Sequence, residues 1–151
     1  MQFMMFLSID LKQERIFITM ENIIPGLHAE QTITVTKELL ASNVGSGDCD
    51  VYATPMLVNF IENTAANLVK NHLSDPALTS VGTLINIQHL AATPEGMQVT
   101  AKVEITEVDR KRIVFTVEVQ DTVDLICKGT HERFVVEKEK FSSKAKNKAK
   151  K

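Results

Sequence analysis

Between residues 97 and 106 the chain alternates without a break. Met97, Val99, Ala101, Val103 and Ile105 are apolar, and Gln98, Thr100, Lys102, Glu104 and Thr106 are polar. A period of two predicts an antiparallel strand with one face on a core and the other in water. Asp109-Arg110-Lys111 predicts a turn, and Ile113, Phe115, Val117 and Val119 repeat the alternation beyond it. A last strand is expected from about Val123 to Val136. Upstream, residues 81–92 read as a strand that ends at the Thr93-Pro94-Glu95-Gly96 turn. Residues 28–36 read as a shorter strand.

The segment from Pro55 to about Leu73 has a different period. Leu57, Val58, Ile61, Ala65, Leu68 and Val69 fall within a stripe roughly 120° wide at about 100° per residue. Asn59, Asn63, Asn67, Lys70 and Asn71 lie opposite. Thr54-Pro55 reads as the start of this helix, with Thr54 able to cap orphan amides and Pro55 tolerated at the first position. The helix is expected to stop near Asp75-Pro76. Met56 and Phe60 lie outside the stripe, which predicts burial against a second subunit. Residues 38–53, rich in Gly, Ser and Asp at their centre, read as a loop with a short helical turn. One long helix and about five antiparallel strands make an α+β fold, most economically packed with the helix across one face of a curled sheet.

Composition narrows the partners. The last fourteen residues hold seven lysines and one glutamate, so they carry +6 and leave −8 on the other 137 residues of a chain whose net charge is −2. So acidic a body is a poor match for nucleic-acid phosphates. The tail, residues 138–151, reads as a disordered, solvated end, with weak attraction to acidic lipid or RNA as the second reading. Cys49 and Cys127 show no spacing pattern, which favours a reduced, cytoplasmic setting. The opening MQFMMFLSI is too short to span a bilayer and lacks a basic n-region, so no membrane partner is expected. Residues 1–19 read as an upstream extension or a misassigned start, and residues 20–137 as the domain.

Several residues invite chemistry. Glu62 falls on the border of the helix's apolar stripe, with Val58, Ala65 and Ala66 as neighbours. It is either a boundary residue whose head reaches water or a partly desolvated acid fit to act as base or nucleophile. His89 shares a strand face with Ile85 and Ile87, as a hydrogen-bonded core residue or a catalyst. Gly82 is a plain bend or a close approach to a ligand. His131 and Arg133 share one face of the last strand; Glu132 faces the other way, where a cross-strand charge pair is its simplest use. His28 and His72 read as structural. No metal-ligand spacing, glycine-rich dinucleotide motif, phosphate loop or GxSxG elbow is present, so no metal or cofactor is expected.

Four runs carry a resemblance: ValTyrAlaThr at 51–54 with Glu62 eight residues on, GlyThr at 82–83, HisLeuAlaAlaThrProGluGlyMet at 89–97, and GlyThrHisGluArg at 129–133. From about His28 to Phe141 the chain resembles the fluoroacetyl-CoA thioesterase type of hot-dog enzyme. The resemblance implies a hot-dog fold and hydrolysis of an acyl-CoA thioester without cofactor. It places Thr54, Glu62 and His89 on the catalytic threonine, glutamate and histidine. It places Gly82 on the glycine that lies against the thioester and Arg133 on an arginine of the acyl-CoA site. Thr54 and Glu62 are about 12 Å apart along one helix, so the site is expected to draw on two chains of a homodimer, or of a tetramer built from dimers. The family's fluoroacetyl-specific enzyme has a phenylalanine lid before the helix, whereas SerGlyAspCysAsp at 46–50 has no aromatic residue; a general short-chain acyl group is therefore expected. The rivals are a non-catalytic acyl-CoA-binding module and a hot-dog hydratase, whose Asp-plus-His helix signature is missing.

Overall fold

A computed structural model describes residue 11, residues 14–16 and residues 19–151. Five strands, β1 (His28–Thr34), β2 (Leu78–His89), β3 (Gln98–Asp109), β4 (Arg112–Asp121) and β5 (Leu125–Glu137), form one antiparallel sheet in the order β1-β3-β4-β5-β2. Helix α1 (Ala41–Val44) lies in the loop after β1. Helix α2 (Thr54–His72) crosses the sheet, and α3 (Lys138–Asn147) continues from β5. Hairpins join β3 to β4 and β4 to β5, while β2 pairs with β5 and so occupies an edge.

The alternation reads directly as burial. Val99, Ala101, Val103 and Ile105 of β3 and Ile113, Phe115, Val117 and Val119 of β4 are all buried against α2. From the helix come Leu57, Ile61, Ala65, Leu68 and Val69. Each large aliphatic side chain removed from water in this way contributes about 1.5–3 kcal/mol.

The buried face of α2 is wider than its apolar stripe. Phe60 and Thr64 are also buried, and the Thr64 hydroxyl reaches Gln31 of β1 at 3.1 Å. Phe60 thus belongs to the core of its own chain rather than to a subunit contact, because the sheet curls around the helix on the β1 side. The opposite border, carrying Glu62, faces β2.

Described structure reaches past residues 20–137 at both ends. Of residues 1–19, most lie outside the described residues. Thr19 is buried, however, and Arg15 pairs with Asp75 at 2.9 Å, which ties the described part of this segment to the body. Where a disordered tail was expected, α3 is a helix with every residue exposed; lysine, glutamate and alanine are all good helix formers. Among the described residues no helix is long and apolar enough to cross a membrane.

Candidate active site

The loop before α2 is pinned from three sides. Tyr52 is fully buried and bridges to Leu40, its amide donates to the Thr93 carbonyl at 2.8 Å, and the Ala53 amide donates to Leu39 at 2.9 Å. The Thr93 hydroxyl in turn donates to Asp121 at 2.9 Å, and Asp121 accepts from the amides of Val123 and Asp124. Thr93 therefore clasps the β2–β3 connection to the β4–β5 turn. Pattern alone shows Thr93-Pro94 only as a turn; its long-range partner is invisible in the sequence.

Fixed in this way, Thr54 does not cap the helix. The cap residue is Ala53, with no side-chain cap bond, and the Thr54 hydroxyl lies 2.8 Å from Nδ1 of His89 at the end of β2. The exposed helix start gathers partial positive charge beside this pair. His89 Nε2 is buried with no hydrogen-bond partner among the described residues. Burial lowers the imidazole's pKa, with the nearby backbone of Ala91 opposing.

Two turns along α2, Glu62 meets a second cluster. Arg133 is only 5 % exposed, and its nitrogens are occupied within the chain: Nε donates to Ser80 Oγ at 2.8 Å, Nη2 to the Ser80 carbonyl at 3.0 Å, and Nη1 to Glu62 at 3.3 Å. Nη1 also lies 3.3 Å from Nε2 of buried His131. The Nδ1 of His131 is 2.7 Å from the Leu84 carbonyl. That carbonyl accepts a hydrogen bond from the ring's Nδ1–H, which leaves Nε2 as the acceptor for Arg133. Burial lowers the pKa of His131, the Leu84 carbonyl opposes, and Arg133 adds to the lowering, so the neutral ring is favoured. Phe115 stacks on it at 5.8 Å between centroids. Ser80 and His131, which sequence reading left without a role, thus hold the guanidinium that holds Glu62. Their signal was the shared face of residues 131 and 133.

Gly82 is exposed beneath the Glu62 carboxylate. A Cβ there would lie 2.5 Å from Glu62 Oε2 and 3.5 Å from Arg133 Nη1. Since the obstructing atom is the end of a flexible side chain, Gly82→Ala should fold normally while displacing the carboxylate. We expect a Tm within a few degrees of wild type and a fall in kcat on the order of tenfold or more, measured on the same preparation.

Within one chain, then, the candidate residues form two groups. Thr54 with His89 is one; Glu62 with Gly82 and Arg133 is the other. Gly82 and His89 stand seven positions apart along extended β2, roughly 20 Å. His28 and His72 bond the carbonyls of Gly26 and Leu68, and Glu132 pairs with Arg112, all structural uses as expected. Two sizeable grooves lie elsewhere: one of about 740 Å³ across the outer sheet face near Glu30 and Lys128, the other of about 730 Å³ near Ile24 and Phe134.

A family model for fluoroacetyl-CoA-specific thioesterases matches residues 35–139. The chain belongs to that family. This thioesterase is 38 % identical over 99 residues to the fluoroacetyl-CoA thioesterase of Streptantibioticus cattleyicolor, a match that spans 66 % of this chain and 70 % of the relative. It superposes with a TM-score of 0.74 on a variant of a fluoroacetyl-CoA-specific thioesterase solved with fluoroacetate and CoA, at 31 % identity over 78 % of this chain and 98 % of that one. A hot-dog-like protein from Thermanaerovibrio acidaminovorans gives a TM-score of 0.75 at 19 % identity, over 82 % of this chain and 91 % of that one, and shares the fold alone. The thioesterase has the hot-dog fold that the pattern of strands and helix predicts.

Proposed function

We propose that this thioesterase hydrolyses short-chain acyl-CoA thioesters at a site shared between two copies of the chain. The observation that carries the reading is the Thr54–His89 hydrogen bond, with His89 Nε2 buried and unpartnered at the start of a helix. A neutral imidazole so placed is a general base in need of a substrate proton.

The carboxylate it needs stands at the far end of β2. That strand is an edge, and its exposed residues include Leu84 and Ile85, 44 % and 37 % exposed. Free edges of this kind invite pairing with another strand. Two β2 strands paired antiparallel about an axis midway between Gly82 and His89 would set Gly82 and Glu62 of one chain against Thr54 and His89 of the other. The small Gly82 leaves room there for a thioester.

In this site Glu62 supplies the carboxylate that attacks the carbonyl carbon or deprotonates the attacking water. The C–S bond breaks and the CoA thiolate leaves. Where Glu62 is the nucleophile, His89 takes the proton of the water that opens the acyl-glutamyl anhydride; where Glu62 takes the water's proton itself, His89 only hydrogen-bonds that water. On either route Thr54 orients the imidazole and the start of α2 stabilises the oxyanion. Arg133 has its nitrogens engaged and sits below the surface, so we assign it to positioning Glu62 rather than gripping CoA. Loop residues Ser46 to Asp50 are exposed and carry no aromatic side chain, which argues for acetyl and other short acyl groups over fluoroacetyl selectivity.

Thiol release from acyl-CoAs of increasing chain length tests the substrate class. Turnover is expected with the shortest acyl groups and no preference for fluoroacetyl over acetyl; no release from any acyl-CoA would overturn it. The same assay reads His89. Only the neutral imidazole is a base, and burial lowers its pKa, so activity should persist as pH falls past the ordinary value of about 6.5. The acid limb of kcat/KM should therefore have its midpoint below that value.

A further inference from the structure

Beyond Val135, its last buried residue, β5 runs out of the core and directly into α3, whose first amide, Lys138 N–H, donates to the Ala77 carbonyl at 3.0 Å. The helix thus starts beside the first residues of β2, at the Gly82 end of the sheet. From Arg133 to Lys138 the extended chain covers roughly 17 Å. Every residue from Glu137 to Lys151 is exposed, and none contributes to the core. Lys140 and Lys144 lie on one stripe of α3, about 6 Å apart along its axis, and Lys148 follows four residues on, in the 3-10 turn Lys148–Lys150 that continues the helix.

This placement matters because the rest of the chain carries −8 against the tail's +6. In an acyl-CoA the reacting thioester is uncharged. The diphosphate and 3′-phosphate lie at the far end of the pantetheine arm, which in extended form spans a distance comparable to that between Gly82 and α3. An acidic body repels those phosphates. A row of lysines at the reach of the arm attracts them and raises the local substrate concentration.

Building on the reading of the substrate as an acyl-CoA, we propose that the lysines of α3 and of the turn that follows it bind the phosphates of the CoA nucleotide. Its role is in capture, so it acts on KM and leaves the chemical step alone.

The test uses the full-length chain with Lys140→Gln, Lys144→Gln and Lys148→Gln together, since glutamine keeps the helix propensity. Kinetics are compared on acetyl-CoA and on acetyl-pantetheine, which has the same thioester and no phosphates. At low salt the variant should lose on the order of tenfold in kcat/KM for acetyl-CoA through KM. The loss should shrink as salt screens the charges, and acetyl-pantetheine turnover should not change. Equal acetyl-CoA kinetics in variant and wild type would overturn the proposal, as would equal losses on both thioesters. So would a variant whose sole defect is weaker retention on anionic vesicles or RNA. Calorimetric titration with free CoA judges α3 even if the wild type turns over neither thioester, an outcome that would defeat the substrate reading instead.

Discussion

Mixing chains that carry Glu62→Gln with chains that carry His89→Ala should restore hydrolysis that neither set has alone. Each variant by itself is expected to lose at least about a hundredfold in kcat/KM, the scale of a removed base or nucleophile. The recovery follows from geometry. Within one chain, Glu62 is held at the Gly82 end of β2 by Arg133, and His89 stands at the other end against Thr54. If a working site takes Glu62 from one copy and His89 from its partner, each mixed dimer has one intact site and one doubly defective site. Random pairing makes half of the dimers mixed, so the mixture should reach about a quarter of wild-type activity. Thiol release from co-refolded, differently tagged chains provides the measurement. No recovery above the single variants would place all three groups within one chain and end the shared-site proposal.

Gly129→Ala should damage the fold more than any substitution at the site. Gly129 lies on β5 opposite Ile87 of β2. A Cβ there would overlap the Asn86 carbonyl oxygen and come within 2.7 Å of Ile87 Cα. Both obstacles are backbone, so relief requires β2 and β5 to part in the middle of their pairing. We expect a cost of about 3 kcal/mol or more. In a domain of this size that lowers Tm by roughly 6–12 °C. Gly26→Ala makes the comparison: the space is open and only the left-handed backbone, at φ +93°, resists a side chain. That change should cost about 1 kcal/mol. Thermal melts of the two variants beside wild type decide the matter; similar midpoints for both would mean that the β2–β5 contact yields easily.

These outcomes also measure how far the sequence speaks for the structure. Alternation located β3 and β4 to within about three residues at each end, and the helical period located α2 to within one, because burial on one face imposes those periods directly. The start of β2 was hidden. Thr79 and Ser80 break the apolar pattern, and Ser80 is polar for a reason that lies in β5, where Arg133 binds it. Phe60 was placed outside the core because a helical wheel gives the direction of a side chain and says nothing about how far a sheet curls toward it. Thr54 suited two roles at a helix start. Only the position of His89, thirty-five residues on, sends its hydroxyl to the imidazole instead of the helix amides. Glu62 was legible as an oddity on the apolar border, but its cationic partner is 71 residues away and leaves no local trace. The motif glycines fared best: Gly82 and Gly129 each stand where a side chain would strike another group.

The position of β2 at the rim of the sheet has a further consequence. A single folded copy carries every reactive group in the proposal and still cannot bring them to one carbonyl. Specific activity would then follow chain concentration, and dilution would silence the protein reversibly while its circular dichroism stayed native.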